Sequence, residues 1–272
     1  MEVPKLKNIA ILILVITNLC LLGLVLQREL QDRYFRWQAR ENAIQLLVQR
    51  KGVKLDEQEV PEEIQLLPQT VTRDLEQEGV LTAQLLGDGV QTENRGAGVY
   101  RYFNDKGSLQ FHSDGTFSGQ FHPGFFPVGE NWEQGCRSVL EQMGFQSEWL
   151  ETKGNALIFR QWWGEAPLFN QQVTLEISDG CVTAMTGGRR LIGEPVEDTT
   201  RHTVSPATAL IEAYNGINAL GYVCSRIDHI TQGYISSTAL NGPMMLTPVW
   251  RVSADTGEYQ LNLVTGELTR VS

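Results

Sequence analysis

Cysteine is sparse in this chain and its spacing is unhelpful. The four residues Cys20, Cys136, Cys181 and Cys224 contain no CxxC pair, so neither a structural zinc site nor a cystine framework can be read from them. Positive charge is in deficit: 22 Lys+Arg stand against 32 Asp+Glu, a formal charge of −10, which argues against nucleic acid as a partner because phosphate binding needs a basic surface. Catalytic signatures are missing too. No G-x-S-x-G elbow, P-loop, H-E-x-x-H or dinucleotide fingerprint occurs, and Gly87-Asp88-Gly89 and Gly96-Ala97-Gly98 read as turn chemistry. His112 and His122 with Asp114 come nearest to a metal set, but two His ten residues apart without a third ligand at useful spacing match no metal site. The expectation is a protein that is not an enzyme, with no catalytic residue, cofactor or metal. A hydrophobic share of 42% also argues against long disorder.

Only one long apolar run is present. Ile9 to Leu26 holds 18 residues without a charge, about 27 Å of helix and close to the hydrocarbon thickness of a bilayer. The run ends Leu24-Val25-Leu26-Gln27-Arg28, without the small residues of a cleavage site, so an uncleaved membrane anchor is expected. Leu19 precedes Cys20 where lipid attachment wants a small residue, so that thiol reads as inert. Asn18 has two readings: it rests against lipid, or it bonds across to a neighbouring helix and is a candidate partner contact. Lys5 and Lys7 on one side face Arg28, Arg33, Arg36 and Arg40 on the other, so charge alone leaves the orientation open. The 246 residues beyond Leu26 carry −11 and form one portion large enough for a substantial core.

Residues 27–51 contain no Gly or Pro, and Leu30, Tyr34, Trp37, Ile44 and Val48 recur at helical spacing, predicting a juxtamembrane helix that ends at Gly52. Glu41 interrupts the seam, which favours packing on the chain's own domain or a partner over a dimeric coiled coil. Tyr34, Trp37 and Ile44 are the candidate contacts here. From Asp56 to Glu78, breakers at Pro61 and Pro68 predict connecting structure, and Asp88-Gly89 between alternating residues predicts a hairpin with its first strand in 80–86. Further hairpins are expected around Asn104–Gly107, Asp114-Gly115, Asp179-Gly180, Asp255–Gly257 and Thr265-Gly266. Asn131 with Gln134, and Ser205 with Pro206, announce two more helices. Their apolar faces are Cys136, Val139, Leu140, Met143 and Ala209, Leu210, Ala213, Ile217, Leu220.

The order is helix then sheet, three times. This predicts an α+β class: one N-terminal transmembrane helix followed by repeated modules in which a helix covers an antiparallel sheet. The expected divisions are a tail at 1–8, the transmembrane helix at 9–26, the juxtamembrane helix at 27–51, and lobes at 52–126 and 127–272. Cys136, Cys181 and Cys224 read as small buried hydrophobes, with one disulfide as the alternative. The aromatics Trp162, Trp163, Phe169, Phe125 and Phe126 read as core or hairpin caps, with an exposed binding patch as the alternative.

Thr247-Pro248-Val249-Trp250-Arg251-Val252, followed by Gly257-Glu258-Tyr259-Gln260-Leu261-Asn262 and Thr265-Gly266-Glu267-Leu268, resembles the end of the YycI family and the wider PepSY-like hairpin. The YycI family comprises accessory regulators of the Yyc (Wal) two-component system of Gram-positive bacteria. The likeness extends to the layout of a short tail, one anchor, a helix ending near Gly52 and an α+β exterior, while residues 80–200 carry no part of it. The resemblance implies a cytoplasmic N-terminus, a body outside the cell membrane, and no catalysis. It also implies binding to a sensor histidine kinase and a YycH-type partner, modulating control of cell-wall metabolism. A PepSY-like module that binds or inhibits an extracytoplasmic protease or wall enzyme is the alternative.

Overall fold

The computed structural model describes residues 3–188, 190–238 and 242–271, with side chains from residue 11 onward within those ranges. Lys5 and Lys7, on which the orientation argument drew, lie outside the described side chains. The chain is a mixed α+β protein: one long N-terminal apolar helix followed by a sheet-rich body with helices.

Helix α1 runs without interruption from Val3 to Gln45, through the divisions expected as tail, transmembrane helix and juxtamembrane helix. Its apolar segment has a mean hydropathy of 2.1 with none of it buried in the body, making this helix a candidate membrane span. One wider π-helical turn, Leu46–Arg50, follows, and Gly52 then leaves the helix at φ +71°, the left-handed conformation that glycine adopts freely.

The body contains strands β1 (Lys54–Leu55), β2 (Gln69–Val71), β3 (Gln91–Gly96), β4 (Val99–Asn104), β5 (Gly107–Phe111) and β6 (Phe117–Phe121). Helix α2 (Leu75–Leu86) lies between β2 and β3, and α3 (Trp132–Gln142) follows β6. Next come β7 (Ser147–Lys153), β8 (Ala156–Trp163), β9 (Ala166–Ser178), β10 (Cys181–Gly187) and β11 (Pro195–Glu197). Helix α4 (Pro206–Ala219) precedes β12 (Arg226–Thr238), β13 (Met244–Ala254), β14 (Gly257–Asn262) and β15 (Leu268–Arg270).

These strands join in one network of order β11-β2-β13-β12-β9-β10-β6-β5-β4-β3. Strand β14 extends it from β13, and β8 and β7 extend it from β9. Nearly all pairings are antiparallel. The two halves meet at β9 and β12, which run parallel and share the single register pair Leu168–Tyr234.

Local chemistry places the helices as expected at two of the caps. The Asn131 side chain accepts from the Gln134 N–H at 3.1 Å, and Ser205 Oγ accepts from the Thr208 N–H at 3.2 Å. Cys136, Val139, Leu140 and Met143 are buried, as are Ala209, Leu210, Ala213 and Ile217, whereas Leu220 at the end of α4 is exposed. The hairpin turn Asp179-Gly180 has positive φ at both residues, the geometry that suits the twist of β9 and β10.

The expected strand in 80–86 is instead the second half of α2. Asp74 caps that helix by accepting from the Glu76 and Gln77 N–H groups, and Glu78, Thr82, Leu85 and Leu86 form its buried face at helical spacing. Gly87, at φ +78°, closes the helix, so Asp88-Gly89 turns a helix into β3 rather than joining two strands. The stretch 56–78, expected as connection only, contributes β2 to the sheet.

Two main clusters divide the core. The first spans Leu85 to Ile192 and includes Phe111, Phe117, Phe145, Phe159 and Leu175. It contains both Phe126 and Val128, so the division expected at residues 126/127 falls inside one packing unit. The second joins the foot of α1 (Ala43, Ile44, Leu47) to α4 and the sheet residues Trp250, Val252, Tyr259 and Leu261. A smaller cluster with Val71, Leu168, Tyr234 and Leu246 fills the seam between them.

Candidate functional site

Two regions offer recognition chemistry: the exposed part of α1 and a cleft at the seam of the two packing units.

Along α1, Asn18 is exposed within the apolar segment, and Thr17 returns its hydroxyl to the Ile13 carbonyl at 2.9 Å. Leu30 is 68% exposed, Tyr34 57% and Trp37 54%, and the Tyr34 and Trp37 rings lie 6.2 Å apart. The Glu29–Arg33 ion pair at 3.0 Å lies beside this stripe. At roughly 100° per residue, Asn18 sits about 160° around the helix from Tyr34 and about 100° from Trp37. Asn18 and the aromatic stripe therefore belong to different faces.

Ile44 does not join them. It is 6% exposed and packs with Ala209, Leu210 and Ala213 of α4, so the seam turns from the outer surface into the protein's own core between Trp37 and Ile44. Periodicity shows that residues share a face but not what covers it.

Arg40 fixes this transition. Its Nη2 donates to the carbonyls of Glu57 and Val60, both at 2.7 Å, and its Nη1 donates to Glu41 at 2.8 Å. The buried guanidinium thus bolts α1 to the turn over Glu57–Glu59, and Glu59 contacts His229 of β12 in turn. Arg40 is consequently withdrawn from the surface arginines that the charge comparison across the span included.

The cleft encloses about 720 Å³. Gln65 lines it from the approach to β2, Gln69 from β2 itself, Trp163 from the end of β8, Gln232 and Tyr234 from β12, and Arg190 from the loop after β10. Glu165 in the β8–β9 turn also faces it. The Arg190 N–H donates to the Gly115 carbonyl at 2.9 Å, which holds the loop. Its guanidinium lies 4.2 Å from the Phe145 ring centre and 5.2 Å from that of Trp163, and Nη1 donates to the Trp162 carbonyl at 3.2 Å. Burial lowers the Arg190 pKa to about 10, and among the described residues no carboxylate offsets that burial. Trp163 Nε1 donates to Gln69 at 3.0 Å, and Tyr234 donates its hydroxyl to the Leu67 carbonyl at 3.0 Å. Gln232 donates to the Glu63 carbonyl, while its Oε1 is buried without a hydrogen-bond partner among the described residues.

The sequence singled out Trp163 but neither Arg190 nor the three glutamines. Its one signal was Gly187-Gly188-Arg189-Arg190, two successive arginines in an acidic chain. Of the other aromatics, Phe126 is core, Phe125 is 43% exposed, and Phe169 is half-buried beneath Arg160 and Arg251 at 5.7 and 4.7 Å. His112 is hydrogen-bonded to Gln110 at 3.0 Å. Among the described residues, no three His, Cys, Asp or Glu side chains gather as metal ligands would. All four cysteines are free thiols, with Cys136 and Cys224 buried and Cys181 partly exposed.

No family model and no curated protein matches the sequence. Among solved structures, the chain is similar to an uncharacterized protein from Eubacterium rectale ATCC 33656. The identity is 12%, with 77% of this chain and 87% of that one covered and a TM-score of 0.44. It is also similar to the Bacillus megaterium YpeB C-terminal domain, with 11% identity, 74% and 99% coverage and a TM-score of 0.38. At these values neither likeness extends to function.

Proposed function

We propose that the chain is a membrane-anchored regulatory protein that works by association rather than catalysis. Its anchor is α1, its N-terminus is cytoplasmic, and its body stands outside the cell membrane. The partner implied by the resemblance of residues 247–268 to the YycI family is a sensor histidine kinase of a two-component system for cell-wall metabolism, with a YycH-type protein alongside. An adaptor of this kind modulates a kinase by binding one of its states better than another.

The observation that carries the reading is the continuity of α1, which leads without a break from the apolar segment, through the exposed Leu30, Tyr34 and Trp37, into the core at Ile44 and Leu47. Counted from Leu26, Tyr34 stands about 12 Å further along the axis. A headgroup layer adds only about 5 to 8 Å on each side of the hydrocarbon, so these aromatics reach past the lipid to where a neighbouring protein would meet them. Asn18 offers a second contact, within the membrane and on another face.

The test is photocrosslinking in membranes of the full chain and of a version whose residues 1–26 are replaced by an unrelated span. Recovery of a sensor kinase with the native helix, and its loss or weakening with the substitute, is the expected result. Recovery of no kinase with either protein overturns the assignment of partner.

A further inference from the structure

We propose that the cleft at the seam of the two packing units binds a carboxylate-bearing ligand, with Arg190 as its counter-charge. This goes beyond the adaptor reading and does not depend on it, since the cleft lies in the body and none of its lining residues belongs to α1.

Three other arginines set into the body carry a carboxylate at ion-pair distance, whereas Arg251, over Phe169, shares with Arg190 the lack of one among the described residues. Arg40 meets Glu41 at 2.8 Å, Arg73 meets Glu78 at 2.6 Å and Arg201 meets Asp198 at 2.6 Å. A guanidinium partly withdrawn from water gains from such a partner, because an anion restores more of its lost hydration than a carbonyl or a ring face does. Arg190 lines the cleft without one among the described residues; its guanidinium donates only through Nη1, to Trp162 and more weakly to Gln161 at 3.5 Å. Burial holds its pKa down at about 10, so the group is charged at neutral pH and incompletely compensated.

The lining suits a carboxylate attached to an amide. Phe145 and Trp163 lie against the guanidinium and Nη1 is committed to Trp162, so the donors not engaged by a described residue are Nε and Nη2. That pair is a planar fork matched to the two oxygens of a carboxylate. The rest of the lining suits an amide attached to it. Gln232 Oε1 is a buried acceptor without a donor among the described residues, and Gln65 and Gln69 add further amide groups. A peptide carboxylate combines both features, and a free organic acid supplies the first.

The experiment is calorimetric titration of the full chain in detergent micelles with three probes: N-acetyl-trialanine as the free acid, its C-terminal amide, and succinate. Binding of the acid at least about tenfold tighter than the amide upholds the proposal. Tighter binding of the acid peptide than of succinate identifies a peptide source, and the reverse identifies a small organic acid; both uphold a carboxylate site. Equal binding of acid and amide, or no binding of any probe, overturns it. Arg190→Gln should abolish binding of the acid. Because that change also removes a contact to the Trp162 carbonyl, Glu165→Gln serves as the second variant: it removes a negative charge from the cleft lining in an exposed turn and should tighten the acid severalfold. Unchanged affinity in Glu165→Gln together with unchanged affinity in a folded Arg190→Gln would overturn the assignment.

Discussion

Asn170 and Ser236 pair as two backbone segments would. The Asn170 Nδ2 donates to the Ser236 carbonyl at 2.7 Å, and the Ser236 N–H donates to Asn170 Oδ1 at 3.0 Å. Gln171 adds a bond to Ser236 Oγ at 2.6 Å. These contacts lie where β9 and β12 part beyond Leu168–Tyr234, so a side-chain amide supplies the rung that the strand ladder lacks.

Asn170→Ala should therefore loosen the joint between the packing units. It leaves an N–H and a carbonyl of Ser236 without their partner, a loss of about 1–2 kcal/mol in urea unfolding of the full chain in micelles. Asn170→Asp keeps the acceptor and loses the donor, and should fall between the two. A wild-type midpoint in Asn170→Ala would show that the amide contributes nothing to the joint.

Arg73 and Glu78 form a buried, two-pronged pair with N–O distances of 2.6 and 2.9 Å, and Tyr102 places its hydroxyl against the same carboxylate. Burial, then Glu78, pushes the Tyr102 pKa up to about 12. Removing one partner strands the other charge, so Arg73→Met or Glu78→Leu alone should cost about 3–5 kcal/mol. The double variant should cost much less than the sum, and additive losses in a double-mutant cycle would contradict the pairing.

Asp255 is held below the usual carboxylate range, first by the Ser225 hydroxyl and then by backbone N–H groups. Because the folded pKa lies below the ordinary 3.8, the stabilising effect is complete above 3.8 and disappears as pH falls through the folded value. Ser225→Ala should move the Asp255 carboxyl pKa upward in an NMR titration. An unmoved pKa would assign the shift elsewhere.

The thiols should separate by reactivity. Burial pushes the Cys136 thiol up to about 12, and burial with the nearby Asp255 carboxylate pushes Cys224 up to about 11. Native protein treated with iodoacetamide at pH 8 should be alkylated at the partly exposed Cys181 before either of them, as read by peptide mass spectrometry. Prior labelling of Cys136 would mean that α3 opens readily.

What could be read beforehand was chemistry that acts within a few residues. Asn131 and Ser205 announce their helices because a cap needs only the N–H groups three residues on. Gly52 marks a helix end and Asp179-Gly180 a hairpin because φ is a local property. Strand β12 was missed: a bulge between Ile227 and His229 breaks its alternation, and Gly233 sits beneath the Phe169 ring, where a Cβ would come within 2.5 Å of it. Strands β2 and β11 have three residues each, too few for a period to show. Helix α2 is not legible in the sequence because Asp88-Gly89 is equally good chemistry after a helix as between strands, and Pro61 and Pro68 read as breakers before it. The cleft was illegible for a different reason: Gln65, Trp163, Arg190 and Gln232 become neighbours only through the sheet order.

The unbroken course of α1 makes the heading of the body a matter of helical phase. Between Leu26 and Arg40 no flexible joint intervenes, so one residue inserted there would swing the body by about 100° about the helix axis, while seven would return it to within about 20° of its starting direction and carry it about 10 Å further out. Whatever neighbour grips the apolar segment of α1 therefore also fixes the compass bearing of the cleft.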